Sequence, residues 1–111
     1  MTVMTEKRMT PIPVRRALRE LGADTQTWRK LLGLTMEQVA DRANISRTTL
    51  AKLESGNGGV SLENALRVFR ALGIMDTVVN SADPYRSDVG RLRSEEILPQ
   101  RVRQTKRVSD A

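Results

Sequence analysis

The segment from Leu34 to Gly56 constrains the fold of this chain more than any other part, because it predicts two short helices joined by a tight turn. Thr35 is typical of a helix N-cap, and Gln38 three residues later completes a capping box, so we expect a helix to begin at residue 36. Asn44 is among the few non-glycine residues that tolerate the left-handed backbone conformation a tight turn can require. The turn between the two helices is therefore expected at this asparagine.

The second helix of this segment is predicted to run from Arg47 to Glu54, with Ser46 as its N-cap. Leu50 and Leu53 face inward, which leaves four side chains on the outside: Arg47, Thr48, Thr49 and Lys52. Such a face can enter the major groove of DNA. There an arginine can fork onto guanine, a threonine can bond a base or contact a thymine methyl group, and a lysine can reach a guanine or a phosphate.

The pattern LT-x-EQ-VA-x-x-A-x-IS-x-x-T-L-x-x-LE-x-G resembles the helix-turn-helix of Cro/repressor-type (Xre family) DNA-binding proteins. The resemblance covers roughly residues 14 to 74 and rests on many positions at fixed spacing. Two positions depart from it. Asn44 stands where the family usually has glycine, and Met36 stands where many members carry a glutamine that braces a phosphate or the recognition helix.

The resemblance also implies roles for individual residues. The family uses three of these positions to contact bases: Arg47, Thr48 and Lys52. Others contact the DNA backbone: Thr35, Ser46 and the loop near Asn57. Arg29 and Glu54 fall where the family has an arginine and a glutamate that pair beneath the recognition helix, so we assign them to structure. Removing one partner would cost roughly 3–5 kcal/mol if the pair is fully buried.

Composition excludes several classes of site. The 111 residues contain no cysteine and no histidine, which removes disulfides, thiol catalysis, and metal sites built on imidazole or thiolate. We expect no metal and no cofactor. The net charge of +6 suggests a polyanionic partner. The longest apolar runs are a few residues, so we expect no transmembrane span, no signal peptide, and a bacterial or phage protein of the cytoplasm and nucleoid.

The segment from residue 14 to residue 32 predicts either one long helix or two, broken near Gly22 and restarted with residue 24 or 25 as its cap. Apolar residues recur at helical spacing and are predicted to face the core: Leu18, Leu21, Trp28, Leu31 and Leu32. Trp28 in particular is assigned to core packing and not to binding, because it lies where family members usually have an aliphatic core residue. Gly33 ends this segment as a C-cap.

Beyond the glycine-rich loop at residues 57–59, Ser61 is predicted to cap an amphipathic helix that Gly73 terminates. The loop lacks the strand and the Lys-Ser/Thr of a nucleotide-binding P-loop, so contact with a DNA phosphate is the better interpretation. Residues 74–83 are ambiguous between a helix capped by Asp76 and a short strand. Residues 87–98 are weakly amphipathic, and the basic tail at residues 100–111 is expected to be disordered.

We therefore predict an all-α fold: a compact, lambda-repressor-like bundle of about five short helices with flexible extensions. The predicted divisions are an N-terminal arm at residues 1–13, the helix-turn-helix domain at 14–82, and a C-terminal extension at 83–111. An enzyme is not expected, because the adjacent Glu95 and Glu96 point in different directions on a helix and cannot form an acid–base pair.

The expected function is that of a sequence-specific transcriptional repressor, which binds a palindromic double-stranded operator as a homodimer. The extension DPYRSDVGRLRSEEILPQRVR resembles that of HipB-like antitoxins. This resemblance implies a second function, in which the protein binds and neutralises a HipA-like kinase toxin. The alternative is a stand-alone or prophage repressor with no toxin partner, in which the extension serves dimerisation only.

Overall fold

The computed structural model describes residues 9–97, and the regular structure in that range is entirely helical. In chain order the elements are α1 (Ile12–Leu31), α2 (Met36–Ala43), α3 (Arg47–Glu54), α4 (Leu62–Leu72), α5 (Met75–Ser81), a 3-10 turn (Pro84–Arg86) and α6 (88–97). The all-α prediction is thereby confirmed. Predictions for residues 1–8 of the arm and for the basic tail lie outside the described residues.

The chain divides into two compact units between Met75 and Asp76. In the first unit, α2 packs against α3 and α4, and α1 packs against α3. Its core consists of small and branched aliphatic side chains with one aromatic ring: Val39, Ala40, Ala43, Leu50, Leu53, Val68, Phe69 and Leu72. Fully burying one of the larger side chains contributes about 1.5–3 kcal/mol, so burial of this cluster is a large favourable contribution to the folding of the unit.

The helix-turn-helix forms as its local signals predict. The Thr35 hydroxyl accepts from the Gln38 amide at 3.1 Å, and the Gln38 side chain accepts from the Thr35 amide at 2.9 Å, which completes the capping box. Asn44 adopts the left-handed conformation with φ of 57°. Ile45, directly after the turn, is half-buried against the core. The predicted capping box and turn are confirmed.

Helix α1 is continuous, so the alternative with a break near Gly22 and a second cap at residue 24 or 25 is wrong. It begins at Ile12, inside the segment that we predicted as the arm. The buried hydroxyl of Thr25 donates to the Leu21 carbonyl at 2.7 Å, one turn back in the same helix. This hydrogen bond gives the hydroxyl a partner within α1, so the Thr25 side chain does not cap a second helix.

The buried face of α1 also differs from the prediction. Leu18 is half-buried, but the other apolar residues assigned to the core remain exposed over two fifths or more of their surface: Leu21, Trp28, Leu31 and Leu32. The residues buried instead are Gly22, Thr25 and Arg29. The reason is a close approach of two backbones, because a Cβ atom at residue 22 would lie only 2.5 Å from the Leu53 carbonyl oxygen. Only the glycine surface of α1 fits against the end of α3.

The helices after the glycine-rich loop show how residues 61–83 fold, including the segment that was ambiguous between helix and strand. Ser61 caps α4 through its hydroxyl, which accepts from the Asn64 amide at 3.0 Å, and Gly73 ends that helix with φ of 79°. Residues 75–81 form a helix and not a strand. This helix begins one residue before Asp76, so that aspartate lies in its first turn and not at its cap.

In the second unit, the Ser87 hydroxyl accepts from the Gly90 amide at 2.9 Å at the start of α6. This bond provides the N-terminal cap of the helix. The apolar side chains Val89, Leu92 and Ile97 of α6 are exposed.

Replacing Gly22 by alanine tests the close approach of α1 and α3. Helix propensity alone would stabilise Gly22→Ala by about 1 kcal/mol. We expect the opposite sign, a loss of about 1–3 kcal/mol, because the new methyl group meets backbone atoms that cannot rotate away. Chemical denaturation measures the free energy of unfolding, with Thr27→Ala on the exposed side of the same helix as the control. A Gly22→Ala protein more stable than the wild type would contradict this packing.

Candidate nucleic-acid interface

One face of α3 is exposed while the opposite face packs into the core. Leu50 and Leu53 are buried. The exposed side chains follow one another around about 140° of the helix: Arg47, Ala51, Thr48 and Lys52. Ala51 was not among the predicted site residues, although its position four residues after Arg47 places it within this face. Its methyl group is of the kind that contacts the thymine methyl group in a major groove.

The start of α3 is fixed by two hydroxyl groups. The Ser46 hydroxyl accepts from the Thr49 amide at 3.0 Å, and its oxygen lies 2.8 Å from the Thr49 hydroxyl. Thr49 is half-buried, whereas Ser46, Arg47 and Thr48 are exposed. Thr49 is thus the predicted base-contacting residue with the least accessible side chain, and its hydroxyl already has a partner.

Glu37 is a second residue that the sequence reasoning missed. Its Oε1 atom lies 4.0 Å from Nη1 of Arg47, and both side chains are largely exposed. An ion pair this open to solvent contributes little to folding. It does place a carboxylate beside the first residue of α3, where it can restrict the rotamers of Arg47 and disfavour its contact with a phosphate. The acid early in α2 is visible in the sequence, but only the crossing of α2 and α3 brings it to Arg47.

The loop after α3 presents Asn57 at the surface. The side-chain oxygen of Asn57 accepts from the Gly59 amide at 2.7 Å, so this residue shapes the loop. Its side-chain NH₂ group remains a donor. Gly56, at φ of 82°, passes so close to α1 that a Cβ atom there would lie 2.8 Å from Cα of Arg19. Thr35, at the start of α2, is also exposed.

Arg29 and Glu54 form a bidentate ion pair. Nε of Arg29 lies 2.7 Å from one carboxylate oxygen and Nη2 lies 3.1 Å from the other. The two side chains are only 10% and 4% exposed. The hydrogen bond with Glu54 raises the pKa of the Arg29 guanidinium above its usual value, against the lowering effect of burial, and Coulomb attraction by the same carboxylate adds to the increase.

The same guanidinium also donates to the Leu34 carbonyl at 3.1 Å. Arg29 therefore connects α1 to the last residue of α3 and to the segment just before α2. No buried side-chain polar atom in residues 9–97 lacks a hydrogen-bond partner, so this charged group is accommodated without an unsatisfied neighbour. The ion pair fixes the C-terminal end of α3. Arg47 lies at the opposite, N-terminal end of the same helix.

Residues 9–97 contain neither a metal-binding cluster nor a helix suited to a membrane. Within that range, no group of three or more histidine, cysteine, aspartate or glutamate side chains is close enough to hold a metal ion. None of the described helices combines the length and the apolar character that a membrane crossing requires.

The structural role of the ion pair predicts an order of stabilities. Arg29→Ala and Glu54→Ala should each destabilise the protein by about 3–5 kcal/mol, because each leaves an unpaired buried charge. Lys52→Ala, at an exposed site, should change the free energy of unfolding by less than about 0.5 kcal/mol. Thermal and urea unfolding of the three variants provide the measurement. Equal stabilities for all three would show that the pair does not anchor α3.

Comparisons with known proteins bear on the segment that contains this face. Residues 26–75 match the helix-turn-helix family. A protein of Methanothermobacter thermautotrophicus described as an uncharacterized HTH-type transcriptional regulator is 49% identical over 45 residues, which cover 40% of this chain. The chain spans 65% of that relative's length. No solved structure matches significantly. The similarity to this family and to that relative therefore covers the segment that contains the exposed face of α3.

Proposed function

We propose that this protein is a sequence-specific DNA-binding transcriptional regulator that acts as a repressor, with α3 as its recognition helix. The observation that carries the proposal is the exposed face of α3, on which two cations lie on either side of small side chains. The opposite face of the helix packs into the core, and the buried ion pair fixes its last residue. The similarity of residues 26–75 to the helix-turn-helix family supports it. So does the similarity to a relative described as a transcriptional regulator.

Each exposed side chain of α3 has a matching group in the major groove. Arg47 can donate two hydrogen bonds to the O6 and N7 atoms of guanine. Thr48 and Ala51 are short enough for close approach and offer methyl groups to thymine. Lys52, one turn further along, reaches a guanine or a phosphate. The positive end of the α3 dipole, where Arg47 lies, also favours an anionic backbone nearby.

Phosphate contacts supply most of the affinity of such proteins and base contacts supply the specificity. Two exposed donors are suited to phosphate contact, namely the hydroxyl of Thr35 just before α2 and the side-chain NH₂ of Asn57 in the loop after α3. The net charge of +6 strengthens attraction to DNA at low salt. We therefore expect affinity to fall steeply as the salt concentration increases.

A homodimer is part of this proposal. An eight-residue recognition helix reaches only a few base pairs, and one such helix provides little specific affinity. A two-fold dimer places two copies of α3 in successive major grooves, roughly 34 Å apart, and therefore requires a palindromic operator. Binding across a promoter would exclude polymerase, which is the proposed basis of repression.

A second function is favoured by α6, which we propose binds a partner protein. Three exposed apolar side chains of this helix lie outside the helix-turn-helix segment: Val89, Leu92 and Ile97. Amphipathic helices bind proteins through such faces. Following the resemblance of the extension to HipB-like antitoxins, the proposed partner is a HipA-like kinase toxin encoded beside this chain. A stand-alone or prophage repressor is the alternative.

The DNA-binding proposal is tested on a duplex selected from a random library by the wild-type protein. Arg47→Ala should weaken binding to that duplex by about 1–3 kcal/mol and relax the preference at one base pair of each half-site. Arg47→Lys is the matched control, because it keeps the charge but loses the fork, and it should lose most of the same specificity. An equal loss of affinity for the selected and the scrambled duplex would show that Arg47 contacts a phosphate and not a base.

The partner proposal is tested by Leu92→Asp in the full chain, co-expressed with any kinase-like protein encoded next to it. We expect the variant to lose co-purification of the kinase while it retains wild-type affinity for the selected duplex. Leu62→Asp, at an exposed leucine of α4, is the control and should retain both. If Leu92→Asp instead makes the protein monomeric and abolishes DNA binding, α6 is a dimerisation element and the stand-alone repressor gains support.

A further inference from the structure

Helix α1 carries a stripe of large apolar side chains beside the face that packs on α3. We call it the α1 stripe, and its members are Val14, Leu21, Trp28 and Leu31 of the helix together with Leu32 directly after its end. Each is between 42% and 72% exposed. At 100° per residue they fall within a sector of about 100°. They therefore lie on one side of the helix, where Asp24 is the one exposed charged side chain among them.

The spacing within the α1 stripe is that of a helix-packing surface. Val14, Leu21 and Trp28 are separated by seven residues each, so that they repeat every two turns on one side of the helix. An apolar repeat of seven is the pattern by which helices pack along one another. Within the first unit, the side chains of α1 that are buried are those of Thr25 and Arg29 together with the Gly22 backbone. No helix among the described residues of the first unit therefore buries this repeat.

We propose that the α1 stripe is the interface through which two copies of this chain form a homodimer. The proposal rests on the regulator proposed above, for which a two-fold dimer is expected, and it names the surface and the partner. The exposed apolar area of the stripe is on the order of 500 Å² per copy, against the roughly 800 Å² per partner that a stable interface of standard size buries. The remaining area would have to come from polar residues at the rim of the interface.

Trp28 supplies the second argument for a protein interface. It is the only tryptophan of the chain, and 43% of its surface is exposed. Tryptophan is enriched among the residues that contribute most to association, because a large ring loses much apolar surface at a low cost in rotamer entropy. In a two-fold dimer each stripe meets its own copy, so one apolar surface serves both partners.

Charge beside the stripe restricts where the two-fold axis lies. Glu20 is exposed at one edge of the α1 stripe, and the exposed Asp24 lies within its sector, between Leu21 and Trp28 along the helix. An antiparallel pair of helices that crosses at Leu21 would bring these acids against those of the other copy, and like charges repel. A crossing beside Trp28 places Asp24 opposite the apolar end of the partner helix instead. The axis is therefore expected near Trp28, with the two indole rings close together.

The test uses two leucines of nearly equal exposure on different faces of the full-length protein. Leu31 in the α1 stripe is 72% exposed and Leu62 in α4 is 75% exposed, so arginine at either site leaves the core intact. Sedimentation equilibrium measures the dimer constant of the wild type, Leu31→Arg and Leu62→Arg, with circular dichroism to check folding. We expect a wild-type dimer, weakening by at least about tenfold for Leu31→Arg, and no change for Leu62→Arg.

Trp28 gives a second measurement on the same samples, because its emission shifts to shorter wavelength on burial. The wild-type emission should shift as protein concentration increases through the dimer constant, and that of Leu31→Arg should not. Three outcomes would overturn the proposal: a monomeric wild type, a dimer that Leu62→Arg and not Leu31→Arg disrupts, or a dimer whose tryptophan emission is independent of concentration. None of these measurements involves DNA. A result that overturns the α1 stripe as the dimer interface therefore does not decide whether α3 binds DNA, which the Arg47 variants test separately.

Discussion

The buried ion pair between Arg29 and Glu54 is the interaction on which the rest of the first unit depends. Its two hydrogen bonds, together with the one from Arg29 to the Leu34 carbonyl, connect α1, the start of the helix-turn-helix and the end of α3. A buried pair of charges does not by itself make a fold more stable than a well-packed apolar contact would. Its effect is geometric, because the bidentate arrangement allows α3 one position against α1 and so determines which way its outer face points.

Local chemistry explains why the helix-turn-helix could be predicted from the sequence. The capping box of Thr35 and Gln38 lies within four consecutive residues, and the left-handed turn requires only a residue such as Asn44. Ser46 acts on the amide three residues ahead of it. Each signal involves neighbours in the chain, so helix bounds and the exposed face of α3 follow without knowledge of the tertiary packing.

The face that α1 buries could not be predicted in the same way, because it depends on residues about thirty positions apart. Apolar periodicity predicts that the buried residues are Leu21, Trp28, Leu31 and Leu32. The backbone of α3 instead approaches α1 at Gly22, where a larger side chain would not fit. The apolar repeat is present in the sequence, but its side chains do not form part of the buried core of the first unit.

The two site residues that were missed have physical reasons of their own. Glu37 lies beside Arg47 because α2 and α3 cross, and no spacing in the sequence indicates that contact. Ala51 carries no charge or hydrogen-bonding group, so nothing in its chemistry distinguishes it from a residue of the core. Its position four residues after Arg47, on the same helix face, was the signal that could have identified it.

The exposed face of α3 is proposed to read DNA while the ion pair holds it in place. Titration of isotopically labelled protein with the selected duplex, followed by amide NMR, tests this claim most directly. We predict that the largest shifts fall on residues 35–38, 46–52 and 57–59, and that a scrambled duplex moves the 46–52 group far less. Shifts concentrated on α4 or α6, or the same pattern with either duplex, would contradict it.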